Sequence, residues 1–374
     1  MAVVGAGVVG AAVAHALVAR GATVAILEAE PEPALGASGT NSGILHTGFD
    51  SYMGELETQL ILRSGELRRT LLERLGVPAI RCGALVRPGG EEEARTVAAL
   101  AGGARRNDVD ATLHDDGSLE VPGEAVTDPV AYTRALVGAA VAGGAEVRTG
   151  APVEALEQDG EALVVHTADG GRVRCRAAVN CAGLRADEVA RLAGDGSFEI
   201  YPRKGEFFVF EPPAGVRLDR ILLPVPSERT KGVLVFPTVD GKVVAGPTAH
   251  DQEDKGDWSV RPDAFGEIMP KAVRMLPALE GAEPIASYAG LRPAGRDCNY
   301  VIGPSRALPG LINVAAIRST GLSASLGIGE HVAALVAAAG VELGDPAELP
   351  AQAPPDSGRE PWWLRASRRE AHVQ

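Results

Sequence analysis

Three glycines and one acid near the start of the chain carry a spacing that binds ligands. Gly5, Gly7 and Gly10 form a G-x-G-x-x-G run, and Glu28 closes the next apolar run. Gly5 permits a tight turn, Gly7 lets the backbone approach a pyrophosphate, and Gly10 lets a helix pack close to the strands. Glu28 can accept hydrogen bonds from a ribose. Together they describe a dinucleotide site. A glycine run alone is weak evidence, because glycines also occupy ordinary turns. The elements around it therefore decide the reading.

Those elements are in place. Residues 2–4 are an apolar run, a helical pattern continues to Arg20, Gly21 supplies a C-cap, and residues 23–27 are a second apolar run. Strand, glycine turn, helix, strand, acid is the order of a dinucleotide-binding βαβ unit. The helix N-terminus would turn free N–H groups and a positive dipole end on the phosphates. The strand before Gly5 is short, since a central strand usually has about five or six residues. The chain is therefore expected to start late relative to its relatives, with this strand clipped.

The whole chain sets the bounds. It has 374 residues, 45% of them hydrophobic and 23% charged, an ordinary globular composition with room for two domains. The net charge of −13 argues against a nucleic-acid partner. No apolar run approaches the roughly 20 residues of a membrane span. Cys82, Cys175, Cys181 and Cys298 show no C-x-x-C spacing, so neither a metal site nor a disulfide framework is expected. A reduced, cytoplasmic setting fits.

Further along, residues 35–48 form a loop of small residues that can lie against a flat or charged ligand. Ser38, Thr40, Asn41 and Ser42 offer hydrogen bonds there; a plain surface loop is the alternative. A helix is expected over 56–75, a strand over 80–86 and an exposed helix over 91–101. Residues 105–124 read as polar and turn-rich. Asp128 should cap a helix with Pro129 at its first position. Strands follow over 146–148, 153–158, 162–167, 172–176 and 178–180. From 201 to 288 the pattern becomes that of an antiparallel sheet, with strands at 206–210, 221–223, 232–236 and 242–246 and a helix at 264–276. Short strands at 300–302 and 311–315 and a helix over 322–339 end the ordered part.

These stretches carry a resemblance. VVGAGVVGAAVA, TNSGILHTGFD, VNCAGLRADEVA, PRKGEFFVF, VPSERTKGVLVFPTVDG, VVAGPTA, YAGLRPAG and INVAAIRSTGLSAS occur in this order. The chain resembles FAD-dependent oxidoreductases of the D-amino-acid oxidase and glycerol-3-phosphate dehydrogenase superfamily. Within it the likeness is to the glycerol-3-phosphate oxidase and dehydrogenase branch and to L-2-hydroxyglutarate oxidases. The resemblance implies an α/β fold: a Rossmann-like FAD-binding domain with an inserted antiparallel-sheet, α+β substrate domain. The FAD domain is expected over 1–79, 128–200 and 300–345, the substrate domain over 80–127 and 201–299, and a tail over 346–374.

The resemblance also implies roles. Gly5, Gly7, Val8, Val9, Gly10, Glu28 and Ala29 would hold the ADP half of FAD. Ser38, Thr40, Asn41 and Ser42 would line the stretch from pyrophosphate to flavin, and Ser42 would also touch substrate. Val153 would offer backbone to the adenine, and Ala182 and Gly183 would pack on the cofactor. Gly321, Leu322 and Ser323 would face the flavin, where a helix dipole stabilises developing negative charge. His46 would stand near the reacting carbon as general base. Arg292, in Gly290-Leu291-Arg292-Pro293, would hold the substrate's anionic group through a fixed guanidinium. Lys231, Arg318 and Ser319 would line the phosphate or hydroxyl pocket.

Three departures stand out. Arg318 replaces an uncharged or acidic residue, Arg185 replaces an aromatic one, and the cysteine-rich tail domain of the anaerobic dehydrogenases is absent. Iron–sulfur chemistry is thus not expected. The implied reaction is oxidation of a small anionic secondary alcohol by hydride transfer to flavin N5, with glycerol 3-phosphate preferred. An L-2-hydroxyglutarate or other 2-hydroxy-acid oxidase, an amine or amino-acid oxidase, and a non-enzymatic flavoprotein subunit are the alternatives. Oxygen, a quinone and a carrier protein stay open as electron acceptor. Residues 347–358 read as a Pro- and Ala-rich linker. Beyond them Trp362 and Trp363 adjoin a basic cluster; a covered domain surface is the preferred reading and a membrane interface the second.

Overall fold

The structure is a computed structural model and describes residues 1–226, 232–351 and 360–369. A six-stranded sheet runs in the order Val301–Pro304, Leu311–Ala315, Ala178–Asn180, Ala2–Val4, Ala25–Leu27 and Glu146–Arg148. All neighbours are parallel except the edge strand Val301–Pro304. The central strands are short, but alternation lets each serve two cores. Val3, Ile26, Val179 and Ile312 face the helices Val8–Val18, Pro129–Ala142 and Gly321–Ala338. Ala2, Val4, Leu27, Ala178 and Leu311 face the other way. There a three-stranded antiparallel meander, Val153–Asp159, Ala162–Thr167 and Arg172–Cys175, covers the sheet. This is the double cover that a parallel sheet requires.

The Gly321–Ala338 helix is long and apolar enough to pass for a membrane span, contrary to the sequence reading. Two thirds of it (67%) is buried inside the protein, as a core helix is.

A nine-stranded sheet forms the second layer system. Its backbone is the pair Ile200–Phe210 and Ala286–Gly295, antiparallel in register from Ile200↔Gly295 to Val209↔Ala286. Sequence reading placed only 206–210 in the first of these and missed the second, whose glycines and prolines mask its pattern. One contact breaks the antiparallel expectation: Ile221–Leu223 lies parallel to Ala84–Val86. The expected strand over 80–86 is in fact divided. Ala79–Ile80 pairs with Ala125–Thr127 in a small sheet. Gly83 then turns at φ 69°, where side chains are strained, and sends Ala84–Val86 into the larger one.

Two local expectations also shift. The helix read as ending at 101 runs Glu91–Arg106, across Gly102 and Gly103. Val97, Ala101 and Ala104 repeat on one buried face, and that burial outweighs the glycines. Residues 105–124 contain the strands Thr112–Leu113 and Leu119–Val121. The Asp128 cap forms as expected, its Oδ1 accepting the N–H of Val130 at 2.8 Å and of Ala131 at 2.9 Å.

The tail packs on the body. Trp362 and Trp363 are 2% and 6% exposed, so neither is available to a lipid surface. The covered-surface reading of this cluster holds. Most of the linker expected over 347–358 lies outside the described residues.

Candidate functional site

The glycine run builds one end of a cavity of about 1920 Å³. A Cβ at Gly10 would lie 2.0 Å from the Gly5 carbonyl oxygen, and one at Gly5 would lie 2.6 Å from that of Cys181. Only glycine allows helix, turn and strand to meet this closely. Gly7 is the N-cap of Val8–Val18 and brings no side chain. The N–H of Val8 is instead taken by Ser38 Oγ at 2.9 Å, which ties the small-residue loop to the helix end. Glu28 folds back on the turn: Oε2 accepts the Ala6 N–H at 2.5 Å and Oε1 the Glu30 N–H at 3.0 Å. Burial pushes its carboxyl pKa up, and these backbone donors pull it partly back.

A second helix N-terminus opens on the same cavity. Thr320 is the N-cap of Gly321–Ala338, yet its hydroxyl turns away to Glu57 Oε1 at 2.7 Å. The first N–H groups of that helix therefore have no side-chain cap. Gly321 and Leu322 line the cavity, as do Val8, Val9, Ala29, Thr40, Asn41, Val153, Ala182 and Gly183. Three expected contributors do not. Gly10 is buried under the turn, Ser42 lies on a neighbouring cavity, and Ser323 is spent inside the protein. Ser323 Oγ accepts the His46 N–H at 2.8 Å, because the helix's third residue faces the core and not the cavity.

The neighbouring cavity, about 370 Å³, shares Thr40, Asn41 and Arg318 with the first. His46, Ser42, Ser319 and Arg292 line it. His46 follows the strand Ile44–Leu45, and its backbone is fixed by one acceptor and one donor. Its N–H goes to Ser323; the buried Arg68 donates to the His46 carbonyl and to the Ser323 carbonyl, each at 2.6 Å. The ring is held as well. His46 Nδ1 is 2.9 Å from Glu124 Oε2, and Glu124 is fully buried. The other oxygen, Oε1, accepts the Thr47 N–H at 2.7 Å and the Thr47 hydroxyl at 2.8 Å. A carboxylate is an acceptor, so it selects the tautomer with hydrogen on Nδ1 and the lone pair on Nε2. Sequence reading missed Glu124 within its turn-rich segment. Its signal was an acid squeezed between two buried strands, Leu119–Val121 and Ala125–Thr127.

The cations divide unevenly. Arg292 stands directly across the sheet from Arg203. Arg203 is neutralised by Asp251 through two bonds of 2.6 and 3.0 Å. Arg292 donates to the Thr248 carbonyl at 3.1 Å and has no carboxylate partner among the described residues. Burial, and then Arg203, pull its pKa down to about 10. Its guanidinium lies over Gly205, where a Cβ would come within 2.1 Å. Arg318 was expected to add charge here. It is instead paired with Glu57, which also accepts from Asn299 and Thr320. Ser319 gives its carbonyl to Asn41 at 3.5 Å. Lys231 lies outside the described residues.

The model of the "FAD dependent oxidoreductase" family matches residues 1–335. The chain belongs to this family. A glycerol 3-phosphate dehydrogenase of Caloramator mitchellensis is 29% identical over 348 residues, 89% of this chain and 72% of that protein. An L-2-hydroxyglutarate dehydrogenase of Escherichia coli is 27% identical over 265 residues, 66% of this chain and 63% of that protein. Among solved structures, the dithionite-reduced L-α-glycerophosphate oxidase of Mycoplasma pneumoniae with FAD bound superimposes with a TM-score of 0.86 at 25% identity, covering 95% of this chain and 98% of that one.

FAD is thus the cofactor of this oxidoreductase. The first cavity suits it on its own chemistry. Two helix N-termini open on it, and their dipoles favour a ligand carrying negative charge. The missing Cβ atoms of Gly5 and Gly10 make the close turn, and a carboxylate waits where the second strand ends.

Proposed function

We propose that this FAD-dependent oxidoreductase oxidises a small secondary alcohol bearing one anionic group, with glycerol 3-phosphate as the preferred substrate. The observation that carries the reading is Arg292, a cation on the smaller cavity with no carboxylate partner among the described residues. A half-buried cation facing a cavity favours a counter-charge, and an anionic substrate supplies it. The glycerol 3-phosphate dehydrogenase relative supports the same substrate class.

FAD, when bound, supplies the two-electron acceptor. The chain's own residues do the rest. Arg292 fixes the anion and so orients the alcohol carbon, Gly205 leaving room for the guanidinium. His46 Nε2 takes the hydroxyl proton. Glu124 keeps Nδ1 protonated and stabilises the imidazolium as it forms. Arg68 and Ser323 hold the His46 backbone, so the ring cannot swing away. A dicarboxylate such as 2-hydroxyglutarate would call on a second cation. Arg203 and Arg318, the other arginines on this cavity among the described residues, are each already paired with an acid, which favours one anionic group.

The test is anaerobic bleaching of the yellow protein. Glycerol 3-phosphate should reduce the flavin fastest, ahead of a 2-hydroxy acid, a neutral polyol and an amine. A polyol or amine that bleaches it as fast as the best anion would overturn the assignment.

A further inference from the structure

The cofactor cavity has a wall that the dinucleotide unit does not supply. Glu360, Trp362, Arg365, Arg368 and Arg369 line the same cavity as Gly5, Gly7 and Glu28. They lie beyond residue 335, where the family match ends. A short helix, Trp362–Ser367, carries Trp362 and Arg365, and the other three flank it.

Two anchors hold this helix to the body. Trp362 stands edge-on to Tyr288, ring centroids 5.5 Å apart. The Trp363 indole N–H donates to Asp240 at 2.9 Å. Both rings join the apolar cluster of the nine-stranded sheet. On the opposite side the arginines reach across to the loop that follows Glu28. Arg365 pairs with Glu32, which also receives Arg134 at 2.6 Å. Arg369 lies 3.5 Å from Glu30 and 3.8 Å over the ring of Trp258, itself on the cavity wall. The segment therefore spans from the second sheet to the acid loop of the dinucleotide unit.

We propose that residues 360–369 are a clasp on the FAD site: the two tryptophans fix one side, and the pairs of Arg365 with Glu32 and Arg369 with Glu30 hold it shut against cofactor release. The division of labour follows from burial. The rings are sunk in an apolar core and do not let go without unfolding the sheet contact. The ion pairs are partly exposed, individually weak and screened by salt, so they are the side that opens.

Release of FAD from the holoenzyme, followed by the fluorescence of free flavin after dilution, tests this without any substrate. Three proteins are compared: the full chain, the Arg365→Gln/Arg369→Gln double variant, and a chain ending at residue 351. The double variant keeps both tryptophan anchors and is the deciding one. Its release should be about three- to tenfold faster than that of the full chain, the range two exposed ion pairs allow. The truncated chain should release faster still. Added salt should bring the full chain towards the double variant. An unchanged release rate in the double variant overturns the proposal, and so does a gap that salt fails to narrow.

Discussion

His46 Nδ1 and Glu124 Oε2 stand 2.9 Å apart, and the carboxylate that makes this contact is wholly enclosed by protein. The pair fixes a ring orientation and a tautomer that neither residue sets alone. His46→Ala should slow anaerobic flavin reduction by about 10²–10⁴ while FAD stays bound. Glu124→Gln keeps the shape but removes the charge and turns one of the two acceptor oxygens into an amide donor, and should cost about 10- to 100-fold in kcat with KM little changed. Stopped-flow flavin reduction measures both. Full-speed reduction in the His46 variant would remove His46 from the role of base, and in the Glu124 variant it would remove Glu124 from positioning that ring.

Arg292 and Gly205 should behave as one unit. Arg292→Lys keeps the charge and loses the planar fork, and should lower kcat/KM by roughly tenfold, about 1.4 kcal/mol. Gly205→Ala puts a methyl where the guanidinium lies. It should give a loss of similar size without touching any charge. If steady-state kinetics show Gly205→Ala unaffected, the guanidinium position is wrong.

Arg318→Gln separates a structural cation from a substrate-binding one. Because Arg318 is paired with Glu57, the variant should lose stability, by about 1 kcal/mol given that the arginine is partly exposed, and leave KM unchanged. Thermal melting beside kinetics reads the two. A raised KM with an unchanged melting temperature would return Arg318 to the substrate pocket.

His15, on the helix Val8–Val18, should make the fold sensitive to mild acid. Burial first, then Arg74 and Arg20, pull its pKa down to about 4 from an ordinary 6.5. Between those values the unfolded chain binds the extra proton and the folded chain does not. The stability from the neutral ring is therefore complete above pH 6.5 and is lost as pH falls towards 4, with an upper bound of about 3 kcal/mol. His15→Leu should flatten the melting temperature across that window. An identical slope in the variant would place the acid sensitivity elsewhere.

The amino-acid sequence by itself determined the cofactor end of this protein. Gly5, Gly7, Gly10 and Glu28 lie within one βαβ unit, and their meaning rests on turn geometry and helix dipoles that contiguous residues control. The Asp128 cap and the long helices were legible for the same reason. The substrate end was decided by tertiary structure. His46 was visible in its loop, but Glu124, 78 residues away, was hidden in a turn-rich stretch until folding enclosed it. Arg318 looked like substrate charge until packing set it against Glu57, 261 residues distant. Strand register alone placed Arg292 across from Arg203 and left one of them paired and the other not. The tryptophans near the C-terminus were expected to cover a domain surface, but which surface was visible only once Tyr288 and Asp240 were seen beneath them. Local patterns fix what a segment becomes. Which charge is neutralised, and which ring is buried, depends on partners that only the folded chain brings within reach.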